Sequence, residues 1–182
     1  NRTLGIDDSG YLLYQKVGEV LHPGGIVPYD VFPWGRRVIA RRTSTDGSDW
    51  SDLEVIIQPD WRDPHDQQFM ILVPHKVHGG YLGLLACYNV RQHTIDWQWA
   101  GSPDLRLWYR PARQPTLPGA PLGDYGGGML WPTYRFIEHD GRTHMYYAGL
   151  EGLHGDIAFG AGPNILDFHG AICRASWAMD RY

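Results

Sequence analysis

Hydrophobic positions in this chain recur in short runs, alternating or continuous, each closed by Gly, Pro, Asp or Asn. Runs of this kind read as strands, and the 3.6-residue period that would mark amphipathic helices is almost absent. The pattern predicts strands over Gly10 to Val17, Arg37 to Thr43, Phe69 to Pro74, Tyr81 to Tyr88 and Thr94 to Ala100. Further strands are predicted over Met129 to Ile137, His144 to Leu150 and Ala171 to Trp177. Within Thr94 to Ala100 the alternation puts Ile95, Trp97 and Trp99 on one face and Asp96 and Gln98 on the other. Phe69 to Val73 and Leu82 to Cys87 are apolar on both faces, as in strands covered from two sides. The expected fold class is all-β.

The runs also repeat as units. Ser44-Thr45-Asp46-Gly47-Ser48-Asp49-Trp50 and Ser102-Pro103-Asp104-Leu105-Arg106-Leu107-Trp108 share the pattern S-x-D-x-x-x-W. Each follows a predicted strand and suits a hairpin tip, where Ser and Asp accept from turn amides and the Trp folds back on the sheet. A turn followed by an aromatic-rich strand occurs at Asp8 to Tyr14, His78 to Leu84 and Asp140 to Tyr147. Similarity at a period of about 60 residues, with about four strands per unit, predicts β-propeller blades. A β-sandwich of look-alike hairpins is the alternative. The blades would span approximately 1–58, 59–117 and 118–182. Closed propellers use four blades or more, and open blade edges invite further pairing. The chain is therefore expected to be part of a longer propeller or to pair with a second chain.

Composition narrows the function classes. Hydrophobic residues make up 43% and charged residues 20%, which describes a folded globular chain and not a disordered one. The net charge of -4, without a Lys/Arg run, argues against nucleic acid or an anionic membrane as partner. No apolar stretch is long enough to span a bilayer, no signal peptide is visible and no initiator Met is present, so localisation stays open. Gly and Pro make up about a fifth of the chain and aromatics 13%, as many short strands and turns require. Cys87 and Cys173 lie in apolar runs and are expected to be buried free thiols. Of nine His only His75 and His78 are closely spaced, with no acid to complete a set, so no metal or other cofactor is expected.

The order of several segments resembles a known group. GRRVIARRTSTDGSDW is followed by QPDWRDPHDQQF, GGYLGLLACY, SPDLRLWYRP, GDYGGGMLWP, HDGRTHMYYAGLEGLHG and AICRASWAMDRY. Together they resemble the C-terminal half of bacterial five-bladed β-propeller proteins related to glycoside hydrolase families 32 and 43. The resemblance implies a carbohydrate at the mouth of a central channel, with acids that open the innermost strands carrying out hydrolysis. Arg62-Asp63-Pro64 is similar to the family 32 motif whose Asp stabilises the transition state and orients the sugar. The Asn-Asp-Pro nucleophile motif and the Glu-Cys acid motif of that family are absent from this chain. A carbohydrate-binding propeller without catalysis is accordingly the second reading, and a segment that needs further blades is the third.

Glycoside hydrolysis uses two carboxyl groups, one protonated to assist the leaving oxygen and one ionised. Asp60 to Phe69 is an acid-rich polar loop leading into a buried strand, and it nominates Asp63 and Asp66, with Gln67 and Gln68 as partners for sugar hydroxyls. One unit later Gly123 to Gly128 places Asp124 before another apolar strand, where glycines allow close backbone approach. Glu151, after the strand His144 to Leu150, is a candidate general acid, and His154 a hydrogen-bond partner for it or for substrate. Arg36 and Arg37 follow the long Leu21 to Gly35 connection and are candidate binding residues. Trp34, Trp61 and Trp131 are candidates for stacking on sugar faces.

Overall fold

The computed structural model describes residues 36–154, 169–179 and 181–182. The predicted strand Gly10 to Val17, the first aromatic turn unit and Trp34 lie outside the described residues. All the elements named among the described residues are strands: β1 (Ile39–Arg41), β2 (Glu54–Ile57), β3 (Gln67–Val77), β4 (Gly80–Asn89), β5 (Thr94–Ser102), β6 (Met129–His139), β7 (Arg142–Leu150) and β8 (Gly170–Ala178). Seven match the predicted runs within a few residues. The short β2 follows the polar tip Ser44 to Trp50, and its Glu-Val-Ile-Ile run is too brief to stand out by alternation.

β1 and β2 form an antiparallel pair, and β3 to β8 lie in chain order in a second sheet. That sheet is two antiparallel meanders, β3-β4-β5 and β6-β7-β8, joined through one parallel bridge, Ile95 to Met129. The Trp97 indole N–H reinforces the junction by donating to the Leu130 carbonyl at 2.8 Å. Proline falls where a ladder tolerates a missing N–H: Pro74 is in the terminal strand β3, and Pro132 sits at the register break of β6.

The two meanders pack against each other. Val73, Leu84, Ala86, Tyr88, Ile95 and Trp97 of the first meet Met129, Leu130, Phe136, Met145 and Ala175 of the second in one buried cluster. Phe69, Leu85, Cys87 and Ala100 point to the opposite side of the first meander and pack with Ile57 of β2. β4 is thus buried on both faces, as its continuous apolar run requires. The Asp96/Gln98 face of β5 is covered as well: Gln98 is buried, and Asp96 has a buried oxygen. Cys87 is a buried free thiol, pushed up in pKa by burial; Cys173 is also free but only half-buried.

Both S-x-D-x-x-x-W segments fold into the same turn. Ser44 Oγ accepts from Gly47 N–H, and Asp46 Oδ1 accepts from Ser48 and Asp49 N–H. Ser102 Oγ accepts from Leu105 N–H, and Asp104 Oδ1 from Arg106 and Leu107 N–H. In each, the Trp indole donates back at 3.2 Å, Trp50 to Gly47 O and Trp108 to Leu105 O. The turn needs positive φ at its fourth position, 80° at Gly47 and 65° at Leu105, where the side chain bears the strain. Trp108 folds onto β4 across Gly83, while Trp50 is exposed.

Candidate functional site

The register places the starts of β3, β5, β6 and β8 and the ends of β4 and β7 at one end of the six-stranded sheet, because Gln67 pairs with Asn89, Asn89 with Thr94, Ile95 with Met129, Met129 with Leu150 and Leu150 with Gly170. The segments that the sequence nominates meet at this rim. Asp66 is fixed to the β4–β5 turn: its backbone carbonyl accepts from Val90 N–H at 3.1 Å and its Oδ2 from Arg91 N–H at 3.0 Å. That turn reaches the Glu151 loop, since His154 N–H donates to His93 O at 2.8 Å. The Glu151 loop in turn presses on the glycine loop of Asp124. Gly128 donates to Leu150 O at 3.0 Å, and any Cβ at Gly128 would collide with the carbonyls of Glu151 and Gly152. Only glycine admits this approach. The carboxyls of Asp66, Asp124 and Glu151 thus belong to three loops on one rim, the Asp66 loop joined to the Glu151 loop through the β4–β5 turn and the Glu151 loop in contact with the Asp124 loop.

Local contacts differ among them. The Asp124 side chain is exposed, in a turn closed by Asp124 N–H to Pro121 O and Gly127 N–H to Asp124 O. Glu151 Oε1 accepts from His169 N–H at 3.0 Å and lies 2.9 Å from His169 Nδ1. Beside it is an aromatic group. The His154 ring stacks near-parallel to Trp131 (6.4 Å, 18°) and packs on Tyr88 at 4.5 Å, whose hydroxyl is 2.8 Å from His93 Nδ1. Trp131 and His154, far apart in sequence, are therefore neighbours. Gln68 is buried, with its Oε1 3.4 Å from Arg37 Nη1. The Arg37 backbone carbonyl also accepts from Phe69 N–H, and Arg36 donates to the His65 carbonyl. Both arginines thus brace the loop that leads into β3.

Asp63 is turned away from these groups, into the layer between β2 and the first meander. Its side chain is 1% exposed and that of Arg110 is 3% exposed. Arg110 grips both carboxylate oxygens, one at 2.7 Å, and also reaches Gln98 Oε1 at 3.2 Å and covers the Phe69 ring at 4.6 Å. Arg113 pairs with Asp63 at 2.9 Å and with both oxygens of Asp60 at 2.9 and 2.6 Å. Burial raises the Asp63 carboxyl, but the Arg110 hydrogen bonds and the Asp60 amide outweigh it and hold the group below its ordinary value. Asp60 is lowered to about 2, chiefly by Arg113. Both are held ionised, so Asp63 is a fixed negative charge in a buried ion pair and not a proton donor.

Three contributors escape the sequence pattern. Arg110 and Arg113 lie in an irregular stretch after the second hairpin tip, where nothing in the spacing marks them as partners of Asp60 and Asp63. Asp96 accepts from Asn89 Nδ2 at 2.9 Å through Oδ2, while its buried Oδ1 has no hydrogen-bond partner. Burial raises its pKa. Gln67 completes this buried row by donating to Asn89 Oδ1 at 3.2 Å. The alternation of β5 gave no sign that its polar face would be enclosed. Among the described residues no group of His, Cys, Asp and Glu is arranged to hold a metal ion.

No protein-family model and no curated protein matches the sequence. Among solved structures the chain is similar to one described as a glycoside hydrolase, with a TM-score of 0.50 and 15% identity. The match covers 78% of this chain and 36% of that one, so it spans about a third of the length of the protein it resembles. At this identity the likeness is one of fold: the chain has an all-β, glycosidase-like fold.

Proposed function

We propose that the chain forms part of a glycosidase-type β-propeller in which the rim binds a carbohydrate and hydrolyses it through paired carboxyl groups. The observation that carries this reading is the placement of the Asp66, Asp124 and Glu151 loops on one rim, linked through the β4–β5 turn, beside the Trp131–His154 stack. The glycosidase-like fold is consistent with it. In this reading each meander is a blade, and the β1–β2 pair belongs to the blade before.

The roles follow from the contacts. Glu151, with one oxygen turned to His169, presents the other as general acid to the leaving glycosidic oxygen. Asp66, steadied by the Arg91 amide, is the ionised partner that acts as base or nucleophile, and Asp124 binds or orients sugar hydroxyls. Asp63 sets the position of the Asp66 loop through Arg110 and Arg113, as a positioning residue. The Trp131 and His154 rings offer an apolar face to sugar C–H groups.

Turnover of a panel of aryl glycosides and neutral oligosaccharides tests the proposal, with Asp66→Asn and Glu151→Gln as variants. A rate that falls about 100-fold or more in both variants, with folding intact by circular dichroism, supports hydrolysis. Saccharide binding without turnover supports the second reading, a binding propeller, in place of the first. Neither binding nor turnover removes both.

A further inference from the structure

A cleft of about 660 Å³ opens between the end of β2 and the segment 108–113, and no residue of the Glu151 or Asp124 loops lines it. Its volume is in the range of small-molecule sites. Ile57 and Trp108 give it an apolar wall, Tyr109 presents a ring that is 62% exposed, and Gln58 adds an amide. Three guanidinium groups line it, those of Arg62, Arg110 and Arg113. Arg110 is spent on Asp63 and Gln98, and Arg113 on Asp60 and Asp63. Arg62 is different. Its side chain is 55% exposed, its nearest carboxylate is Asp60 at 3.7 Å, and that carboxylate already takes both Arg113 bonds. Three cations thus face two carboxylates, and the excess positive charge lies on Arg62, beside the 90% exposed ring of Trp61.

We infer that this cleft is a binding site for a carboxylate-bearing saccharide, distinct from the rim and independent of hydrolysis there. A planar guanidinium pairs with a carboxylate through two parallel hydrogen bonds, which suits a uronic acid group. Tyr109 supplies the flat apolar surface against which a sugar ring lies, and Gln58 satisfies a hydroxyl. One available cation among apolar and aromatic walls fits a single carboxylate on a largely neutral ligand. A polyphosphate or nucleic acid would require several unpaired cations along its backbone.

Calorimetric titration of the full chain with a galacturonate trimer, the galactose trimer and inorganic phosphate tests the inference. The acidic trimer is expected to bind about tenfold more tightly than the neutral one, a difference of about 1.4 kcal/mol. That preference should disappear in Arg62→Gln and shrink as salt is raised. Tyr109→Ala should weaken both trimers, and Glu151→Gln should leave the acidic preference unchanged, which separates this cleft from the rim. Equal binding of the two trimers, a preference that survives Arg62→Gln, or phosphate binding as tight as the acidic trimer would each overturn it.

Discussion

Asp63 shows how burial changes the meaning of an acid that the sequence nominates. Its motif and its place in an acid-rich loop before β3 suggest chemistry, yet its carboxylate is enclosed by Arg110 and Arg113. Removing one member of a buried pair leaves an uncompensated charge, so Arg110→Met should destabilise the fold by about 3–5 kcal/mol in urea unfolding. A loss of activity in Asp63→Ala is then interpretable only beside a stability measurement. Asp96 presents the reverse case. Its pKa is raised by burial, so the folded state holds its proton more tightly than the unfolded state. Stability is therefore lost as pH rises from about 4 through the folded-state pKa, and the full cost is present above it. Asp96→Asn removes that cost while keeping an acceptor for Asn89. It should raise stability by about 1–2 kcal/mol at neutral pH and by almost nothing below pH 4, read from denaturant midpoints.

At the level of elements the sequence was most legible where physics is local. Strands reveal themselves by alternation and by bounding turn residues, and the two S-x-D-x-x-x-W turns close with the hydrogen bonds their side chains require. What remained hidden is set by packing between elements. Nothing local told that Gln98 and Asp96 face a covering layer, that Arg110 reaches from an irregular segment to Asp63, or that His154 stacks on Trp131. The same gap separates the two repeat tryptophans, since Trp108 packs on β4 only because Gly83 leaves room. A Cβ there would lie 2.5 Å from the Trp108 ring and 2.7 Å from Leu72. Gly83→Ala should cost about 1–3 kcal/mol and shift Trp108 emission to longer wavelength as the indole meets water. An unchanged spectrum would mean that the ring does not depend on this gap.

Among the described residues, the two meanders bury one face against each other, and several apolar side chains on the far side of the second are exposed. Ile172, on the terminal strand β8, is 89% exposed, and Tyr134, Ile137 and Tyr146 are also exposed on β6 and β7. Exposed apolar strands at a sheet edge promote pairing between chains, and a charge there opposes it. Ile172→Lys should therefore lower concentration-dependent scattering without changing the urea midpoint. The rim, where loops of both meanders lie together, is the proposed saccharide site. Its most direct test is hydrogen exchange by mass spectrometry, with and without a saturating mixture of neutral oligosaccharides. Slowed exchange confined to the loops around Asp66, His93, Asp124 and Glu151, and abolished by Trp131→Ala, is the predicted result. Unchanged exchange at all four loops, or protection that survives Trp131→Ala, would rule out a saccharide site at this rim.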